Sequence, residues 1–306
     1  MKLGDLSVPQ VQQALASGTF TLRTPPFVVR LKSDLPRVAH DLLRLYPRFE
    51  LGAADDFADF HLEVLRESGF RRWLKPEARF YADGEAAFST LPAAQAFHMV
   101  EWGMNWAVTS LAHQYLVYHA AALERGGQAL LLPAPPGSGK STLTAALAHR
   151  GWRLLSDELS LLDPQQGVVF GMARAVNLKN AAIDVIRRFT PAAILTEPVP
   201  DTLKGTLALM KAPDESVARV HEPARPAWII SPRFEAGSPT LLAPTDKASM
   251  LLLLAEQAFN YDIHGRAGFE MTADLVDRCD CLELVYSDLD DAIARLDALA
   301  AGATAW

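Results

Sequence analysis

The residues able to do chemistry concentrate in one short stretch, Pro136-Gly137-Ser138-Gly139-Lys140-Ser141-Thr142. It joins an apolar run, Ala129 to Leu132, with the length of a buried strand, to a run from Ser141 to His149 with apolar residues at helical spacing. Glycines at such a junction let successive backbone N–H groups turn inward on a phosphate chain, and the helix N-terminus adds its partial positive charge. Lys140 then reaches the β- and γ-phosphates, and Ser141 places its hydroxyl on Mg²⁺. The pattern GxxxxGK[ST] is broken at its first glycine, where Ala134 stands, and an alanine closes such a loop only if its φ is negative. Gly139-Lys140-Ser141 alone is a common tripeptide. The flanking strand and helix, Gly137 and the break at Pro135-Pro136 turn it into a candidate nucleotide phosphate site. The competing account is a Gly/Pro turn before a surface helix.

Two further groups stand close in sequence. Asp157 and Glu158 close a short strand predicted over Trp152 to Leu155, 17 residues beyond Lys140. Carboxylates there suit a Mg²⁺-holding or water-orienting acid, because Mg²⁺ takes one or two carboxylates, a hydroxyl, waters and substrate phosphates; Asp157 and Ser141 together supply the protein's share. A helix cap or solvated turn is the alternative. His119 interrupts an apolar strand read from Tyr115 to Leu123, which turns at Gly126-Gly127 into the strand feeding the loop. A buried histidine bonded to backbone explains it equally simply. Trp102 and Trp106, on a helix predicted from Phe97 to His113, offer an adenine-stacking face or, at helical spacing, core packing.

The elements that must position these groups belong to an ordinary globular chain of 306 residues, 50% hydrophobic and 21% charged. A net charge of -7 argues against a nucleic-acid-binding surface and leaves local nucleotide binding open. The N-terminus lacks a signal-peptide core and no stretch has the uninterrupted apolar length of a membrane span; the most apolar helix is interrupted by Glu101 and Asn105. Cys279 and Cys281 read as packed thiols, and a reducing cytoplasm is the expected compartment. Residues 1–93 read as a small α+β module: a helix over Val8 to Ala16, an extended hairpin around Pro25-Pro26, a helix to Leu45 capped by Asp34, a strand from Asp59 to Glu67, and strand from Trp73 to Phe88 turning at Asp83-Gly84. Arg71-Arg72 beside Trp73 is a solvated loop or a contact for an acidic partner. Further on, strands are expected over Pro226 to Pro232 and Leu282 to Tyr286. Helices are expected from Asp246 to Phe259, with a buried Leu251 to Leu254 face, and from Asp288 to Leu299, capped by Asp288 or Ser287. Leu203 to Thr206 reads as a mobile loop over the site, and the tail Ala300 to Trp306 as frayed.

The order His119-Ala120-Ala121, Pro136-Gly137-Ser138-Gly139-Lys140-Ser141-Thr142, Gly151-Trp152-Arg153-Leu154-Leu155-Ser156-Asp157-Glu158 resembles the catalytic domain of HPr kinase/phosphorylase, and especially the HPr-related kinase A group. The likeness continues through Arg174, Asn177-Leu178-Lys179-Asn180, Lys204-Gly205-Thr206, Cys279-Asp280-Cys281 and Tyr286-Ser287-Asp288-Leu289. It implies an α/β fold of the phosphoenolpyruvate carboxykinase-like P-loop kind, with a mixed sheet in residues 94–306 beside the small N-terminal α+β module. It implies an ATP-dependent kinase that uses Mg²⁺ and moves a phosphoryl group to a serine hydroxyl of a protein, peptide or small molecule. The roles it implies are Asp157 holding Mg²⁺ and taking the serine proton with Glu158 beside it, and His119 as the active-site histidine. Arg174, Lys179 and Lys204 become cations for the triphosphate or the transferred group. Two departures are Ala134 and the absence of the glycine-rich signature that follows the acid in true HPr kinases, which is tied to the reverse reaction and the protein substrate. They motivate the alternative of a nucleotide-binding or slowly hydrolysing module; a carboxykinase or pyrophosphate-using activity is a third reading. The resemblance allows a homo-oligomer, since true HPr kinases form hexamers.

Overall fold

The computed structural model describes residues 1–68 and 75–303. The pair Arg71-Arg72 with Trp73, the start of the strand expected from Trp73, and the end of the tail lie outside the described residues.

The chain opens with helix α1 (Val8–Ser17), which ends at Gly18 in the left-handed conformation, then the antiparallel hairpin β1 (Phe20–Thr24) and β2 (Phe27–Ser33). Helix α2 (Pro36–Leu45) follows, with strands β3 (Phe60–Arg66), β4 (Glu77–Ala82), β5 (Glu85–Ala86) and β6 (Leu91–Pro92). They form one sheet in the order β1-β2-β3-β4-β5, with β6 also on β4. The turn between β4 and β5 is Asp83-Gly84, both at positive φ, as a two-residue hairpin requires. Asp34 does not cap α2. The N-cap is Leu35, and the Asp34 carboxylate instead accepts the Arg66 N–H at 2.7 Å, tying the helix entry to the end of β3.

Helix α3 (Ala96–Leu111) lies against β3 and β4. Beyond it the run Tyr115 to Leu123 forms two strands, β7 (Leu116–Tyr118) and β8 (Ala120–Arg125), in place of the single strand expected. They part at His119 because β7 joins a different sheet, and because the His119 N–H is taken by the Gln257 carbonyl at 2.6 Å. Strand β8 turns at Gly126-Gly127 into β9 (Gln128–Pro133), which feeds helix α4 (Lys140–Ala148) and then β10 (Arg153–Ser156), β11 (Ser160–Leu162) and β12 (Val169–Phe170). Small residues make the α4 contact close: Ala120, Ala121 and Ala122 on β8 and Ala145 and Ala146 on α4 are all buried.

The remaining chain supplies β13 (Val176–Lys179), α5 (Ala181–Phe189), β14 (Val199–Thr202), β15 (Gly205–Met210), α6 (Asp214–Ala218), β16 (Arg225–Phe234) and β17 (Leu241–Pro244). Then come α7 (Lys247–Glu256), α8 (Tyr261–His264), α9 (Arg266–Arg278), β18 (Asp280–Tyr286) and α10 (Leu289–Ala300). Asp246 caps α7 and Asp288 caps α10 through Ser249 N–H and Asp291 N–H. The buried face of α7 is Met250 and Leu254; Leu252 is exposed, so the expected Leu251 to Leu254 face is narrower than read. Leu203-Lys204 is the turn of the β14–β15 hairpin, closed by Thr202 Oγ1 donating to the Gly205 carbonyl at 2.6 Å, where a longer loop had been expected.

The central sheet runs β10-β8-β9-β16-β18-β17. It is mixed: β9, β16 and β18 are parallel neighbours, and the β10–β8, β8–β9 and β17–β18 pairs are antiparallel. Two smaller antiparallel sheets, β12-β11-β7 and β13-β15-β14, stand beside it. The architecture is thus α/β with mixed sheets.

Candidate functional site

The loop between β9 and α4 owes its shape to two glycines. Gly137 and Gly139 have φ of 88° and 90°, a region closed to most side chains. Ala134 is buried and is absent from the non-glycine residues at positive φ, so the alanine at the broken pattern position fits its backbone without strain. Outside the loop, the carbonyls of Ser138 and Gly139 are held by the Phe234 N–H at 2.8 Å and the Tyr286 hydroxyl at 3.0 Å. A Cβ at Gly139 would stand 2.5 Å from the Tyr286 Oη and 2.9 Å from the Phe234 Cβ. The ends of β16 and β18 therefore brace the loop.

Within this frame several polar atoms are buried without a hydrogen-bond partner. Lys140 is 9% exposed, its Nζ has none, and burial holds its amine below the usual lysine range while Asp157 and Glu158 oppose that shift. The Ser138 hydroxyl is likewise unpaired. Pro136 and Gly137 are exposed at the loop tip, while Ser141 and Thr142 are half-buried on the first turn of α4.

Asp157, 4% exposed, leaves the end of β10. One of its oxygens accepts the Asn177 N–H at 3.0 Å and the other, Oδ1, is unpaired. Burial and the neighbouring Glu158 push its carboxyl up to about 6, against Lys140, the Asn177 N–H and the Ser141 hydroxyl. Asp157 thus sits within electrostatic reach of the first residues of α4. A buried amine and a buried carboxylate oxygen, both unpaired, are the donor and acceptor a charged ligand would satisfy.

Glu158 is fixed from two elements. Asn105 of α3 donates to it at 2.6 Å and the Asn177 side chain at 3.4 Å. Asn105 in turn accepts from Arg174, whose guanidinium is 3.7 Å from Glu101, and Glu101 accepts the Tyr46 hydroxyl at 2.6 Å. Burial raises the Glu101 carboxyl, with Arg174 and the Tyr46 hydroxyl opposing. Arg174 is therefore engaged with α3 through Nη2, and its buried Nε has no partner. Its position follows from a tight passage: Met172 and Ala173 both donate to the Leu155 carbonyl, at 2.9 and 2.8 Å, and Ala173 is at φ 46°. That conformation is uncommon for a non-glycine residue and is held here by burial. Together Asp157, Glu158, Asn177, Arg174, Asn105 and Trp102 line one small cavity.

His119 stands between β7 and β8 with its ring 5.7 Å from that of Phe259. Burial, then Lys140, hold it down to about 4, with Lys179 and Lys204 acting in the same sense and Glu158 opposing. It is neutral near neutral pH. Its two further cationic neighbours come from the end of β13 and the β14–β15 turn, which Asn180 clamps together by accepting the Thr206 N–H at 3.0 Å and donating its own to the Thr206 carbonyl at 2.8 Å. Lys204 Nζ lies 5.7 Å over the Trp102 ring. Trp106 packs against Phe80 and Phe88 and is a core residue.

Sequence reasoning treated Glu101 and Asn105 only as interruptions of an apolar helix. Their spacing of four puts both on one helix face, a signal that they point at a common partner. Tyr46 carried no comparable signal, and Asn177 and Tyr286 stood within the resembling stretches without a role, because only the tertiary fold brings them to the loop and the acid.

The donor set suits Mg²⁺. No group of three or more His, Cys, Asp or Glu able to hold a metal occurs among the described residues, but Mg²⁺ shared with phosphates needs fewer protein ligands. The unpaired Asp157 Oδ1 and the Ser141 hydroxyl are the groups that would hold it.

No family model matches the chain, and no curated protein matches it. Among solved structures it is similar to the Hpr(Ser) kinase/phosphatase from Coxiella burnetii, with 14% identity and a TM-score of 0.28 over 61% of this chain and 98% of that one. A likeness of that size carries no argument about reaction or substrate, so those rest on the site itself. Among the described residues no helix is long and apolar enough to cross a membrane.

Proposed function

We propose that the chain is an ATP-dependent kinase that transfers the γ-phosphoryl group to a hydroxyl acceptor, a serine of a protein or peptide or the alcohol of a small molecule. One observation carries this reading: two buried, oppositely charged atoms without partners, Lys140 Nζ and Asp157 Oδ1, beside a loop whose glycines turn its backbone toward the N-terminus of α4. Phosphoryl transfer has a loose transition state and asks the protein chiefly for alignment and charge neutralisation. The amides from Gly137 to Ser141 and Lys140 bind the polyphosphate. Ser141 and Asp157 would hold Mg²⁺, whose charge would offset that of the phosphate oxygens. Asp157 accepts the acceptor's hydroxyl proton, a task suited to a carboxylate whose burial has raised its proton affinity. Glu158 is kept beside it by Asn105 and Asn177, and Arg174 positions Asn105. Lys179 and Lys204 share His119's surroundings and supply cations for the transferred group. His119 is uncharged there and free to relay a proton.

Purified protein incubated with γ-labelled ATP, Mg²⁺ and hydroxyl acceptors tests this. Label transfer that vanishes in Asp157→Asn while nucleotide still binds supports the kinase; binding with neither transfer nor ADP release in the unaltered protein supports a nucleotide-binding module. Unchanged nucleotide affinity in Lys140→Ala refutes the phosphate site altogether.

A further inference from the structure

We propose that Phe234 is the nucleobase platform of this site, the aromatic face on which the purine of a bound nucleotide stacks. The proposal rests on the phosphate-loop reading and adds the part of the ligand that the loop itself does not hold.

Sheet order gives the polyphosphate a direction. Strand β9, which carries the loop, has β8 and then β10 on one flank and β16 and then β18 on the other. Asp157 leaves β10, so the transferred end of the nucleotide lies on that flank. The base must then lie across the loop, where β16 and β18 end together, Phe234 opposite Tyr286, beyond the end of β9. The carboxyl ends of parallel strands are where ligands bind in open α/β sheets.

Phe234 is the last residue of β16 and is the aromatic at that edge with an open face. Its N–H donates to the Ser138 carbonyl at 2.8 Å, which fixes its backbone against the loop. Tyr286, the last residue of β18, meets it edge to face at 5.7 Å and 73° while donating its hydroxyl to the Gly139 carbonyl. The phenyl is thus steadied on one side, yet Phe234 remains 50% exposed and belongs to neither hydrophobic core cluster. A rigid, half-exposed ring fixed to a phosphate loop has the geometry of a stacking surface. The two tryptophans that could serve instead are placed elsewhere: Trp106 is packed on Phe80 and Phe88, and Trp102 lines the cavity with Asp157, at the opposite end.

Calorimetric titration of ATP and of inorganic tripolyphosphate into the full chain and its Phe234→Ala and Phe234→Trp variants tests this. The unaltered protein should bind ATP more tightly than tripolyphosphate. Phe234→Ala should weaken ATP about tenfold, within the range for loss of one base–aromatic stack, and leave tripolyphosphate unchanged. Phe234→Trp should keep the ATP affinity, and the introduced indole should be quenched by ATP but not by tripolyphosphate. Equal weakening of both ligands in Phe234→Ala, or of neither, overturns the platform while leaving the phosphate loop standing. Failure of the unaltered protein to bind tripolyphosphate or ATP overturns both together.

Discussion

At the residue scale, the identity of the acid decides how activity follows pH. The Asp157 carboxyl is raised to about 6, whereas His119 is lowered to about 4. Mg²⁺ held by Asp157 would draw its midpoint below that of the empty site, so the acid limb of the rate profile lies below pH 6 and belongs to the carboxylate. Transfer should fall about tenfold per pH unit below the midpoint as Asp157 takes up a proton. His119→Gln should lower the plateau without moving the midpoint, and a midpoint that vanished with His119 would contradict the assignment. The same shift has a stability sign. A carboxyl whose folded value lies above its ordinary 3.8 favours the fold below 3.8 and loses that contribution as pH rises through about 6. At neutral pH the buried charge is a cost, at most about 3 kcal/mol for a shift of this size. Asp157→Asn should thus abolish transfer and raise Tm at pH 7.5, which thermal melts of the two proteins would show. A lowered Tm would mean that Lys140 depends on Asp157 for more than the acid loses by burial.

At the element scale, the strand–loop–helix unit was legible because its signals are local. Four buried apolar residues, two glycines and a run of helix formers act within twenty residues of one another, and the bounds of β9 and α4 follow from them. Less was legible where the deciding partner is distant. His119 interrupts the apolar run from Tyr115 to Leu123 without announcing a change of sheet; the Gln257 carbonyl that captures its N–H lies far along the chain. The Leu203-Lys204 turn was read as a longer loop because the proline-rich approach hides β14, whose pairing with β15 is a tertiary fact. Asn105 and Glu101 were visible as polar residues but not as ligands of Arg174 and Glu158. The loop itself gives a prediction. Gly139→Ala introduces a Cβ into Tyr286 and Phe234 at a φ of 90°, so the loop must move away from the two strand ends. Nucleotide affinity should fall more than tenfold, while the far-ultraviolet circular dichroism stays nearly unchanged, because Gly139 gives α4 only the carbonyl that accepts the Leu143 N–H. Phe234→Ala combined with Gly139→Ala should recover nothing, since the Tyr286 hydroxyl and the Cβ that alanine keeps at position 234 both remain in the way.

At the scale of the whole molecule, the N-terminal sheet and the nucleotide half share one interior. Helix α3 packs on β3 and β4, with Gly103 and Trp106 against Phe80, and its buried Phe97, Val100, Met104 and Val108 join a continuous cluster that reaches Leu130, Leu143 and Trp152. The contact is close: Gly103 of α3 lies under the Phe80 ring, where any Cβ would overlap it. The polar link is equally direct, because Tyr46 follows α2 yet its hydroxyl holds Glu101, and through Arg174 and Asn105 the acid pair. We therefore propose that residues 1–93 and 94–306, although separable as elements, unfold as one unit. Urea denaturation followed by tryptophan fluorescence and by far-ultraviolet circular dichroism should give a single coincident transition. Gly103→Ala should shift it downward by about 1–3 kcal/mol or more, the cost of overpacking a filled core. Tyr46→Phe removes one hydrogen bond from a buried carboxylate and should cost about 1–3 kcal/mol while lowering kcat with the nucleotide KM unchanged. A chain starting at residue 94 would strip Gly103 and Trp106 of Phe80 and Phe97 of Tyr46, and should be recovered only as aggregate. If that fragment instead folded and bound nucleotide as the full chain does, the N-terminal sheet would be an appended module, and the relay from Tyr46 would have no part in holding the acid.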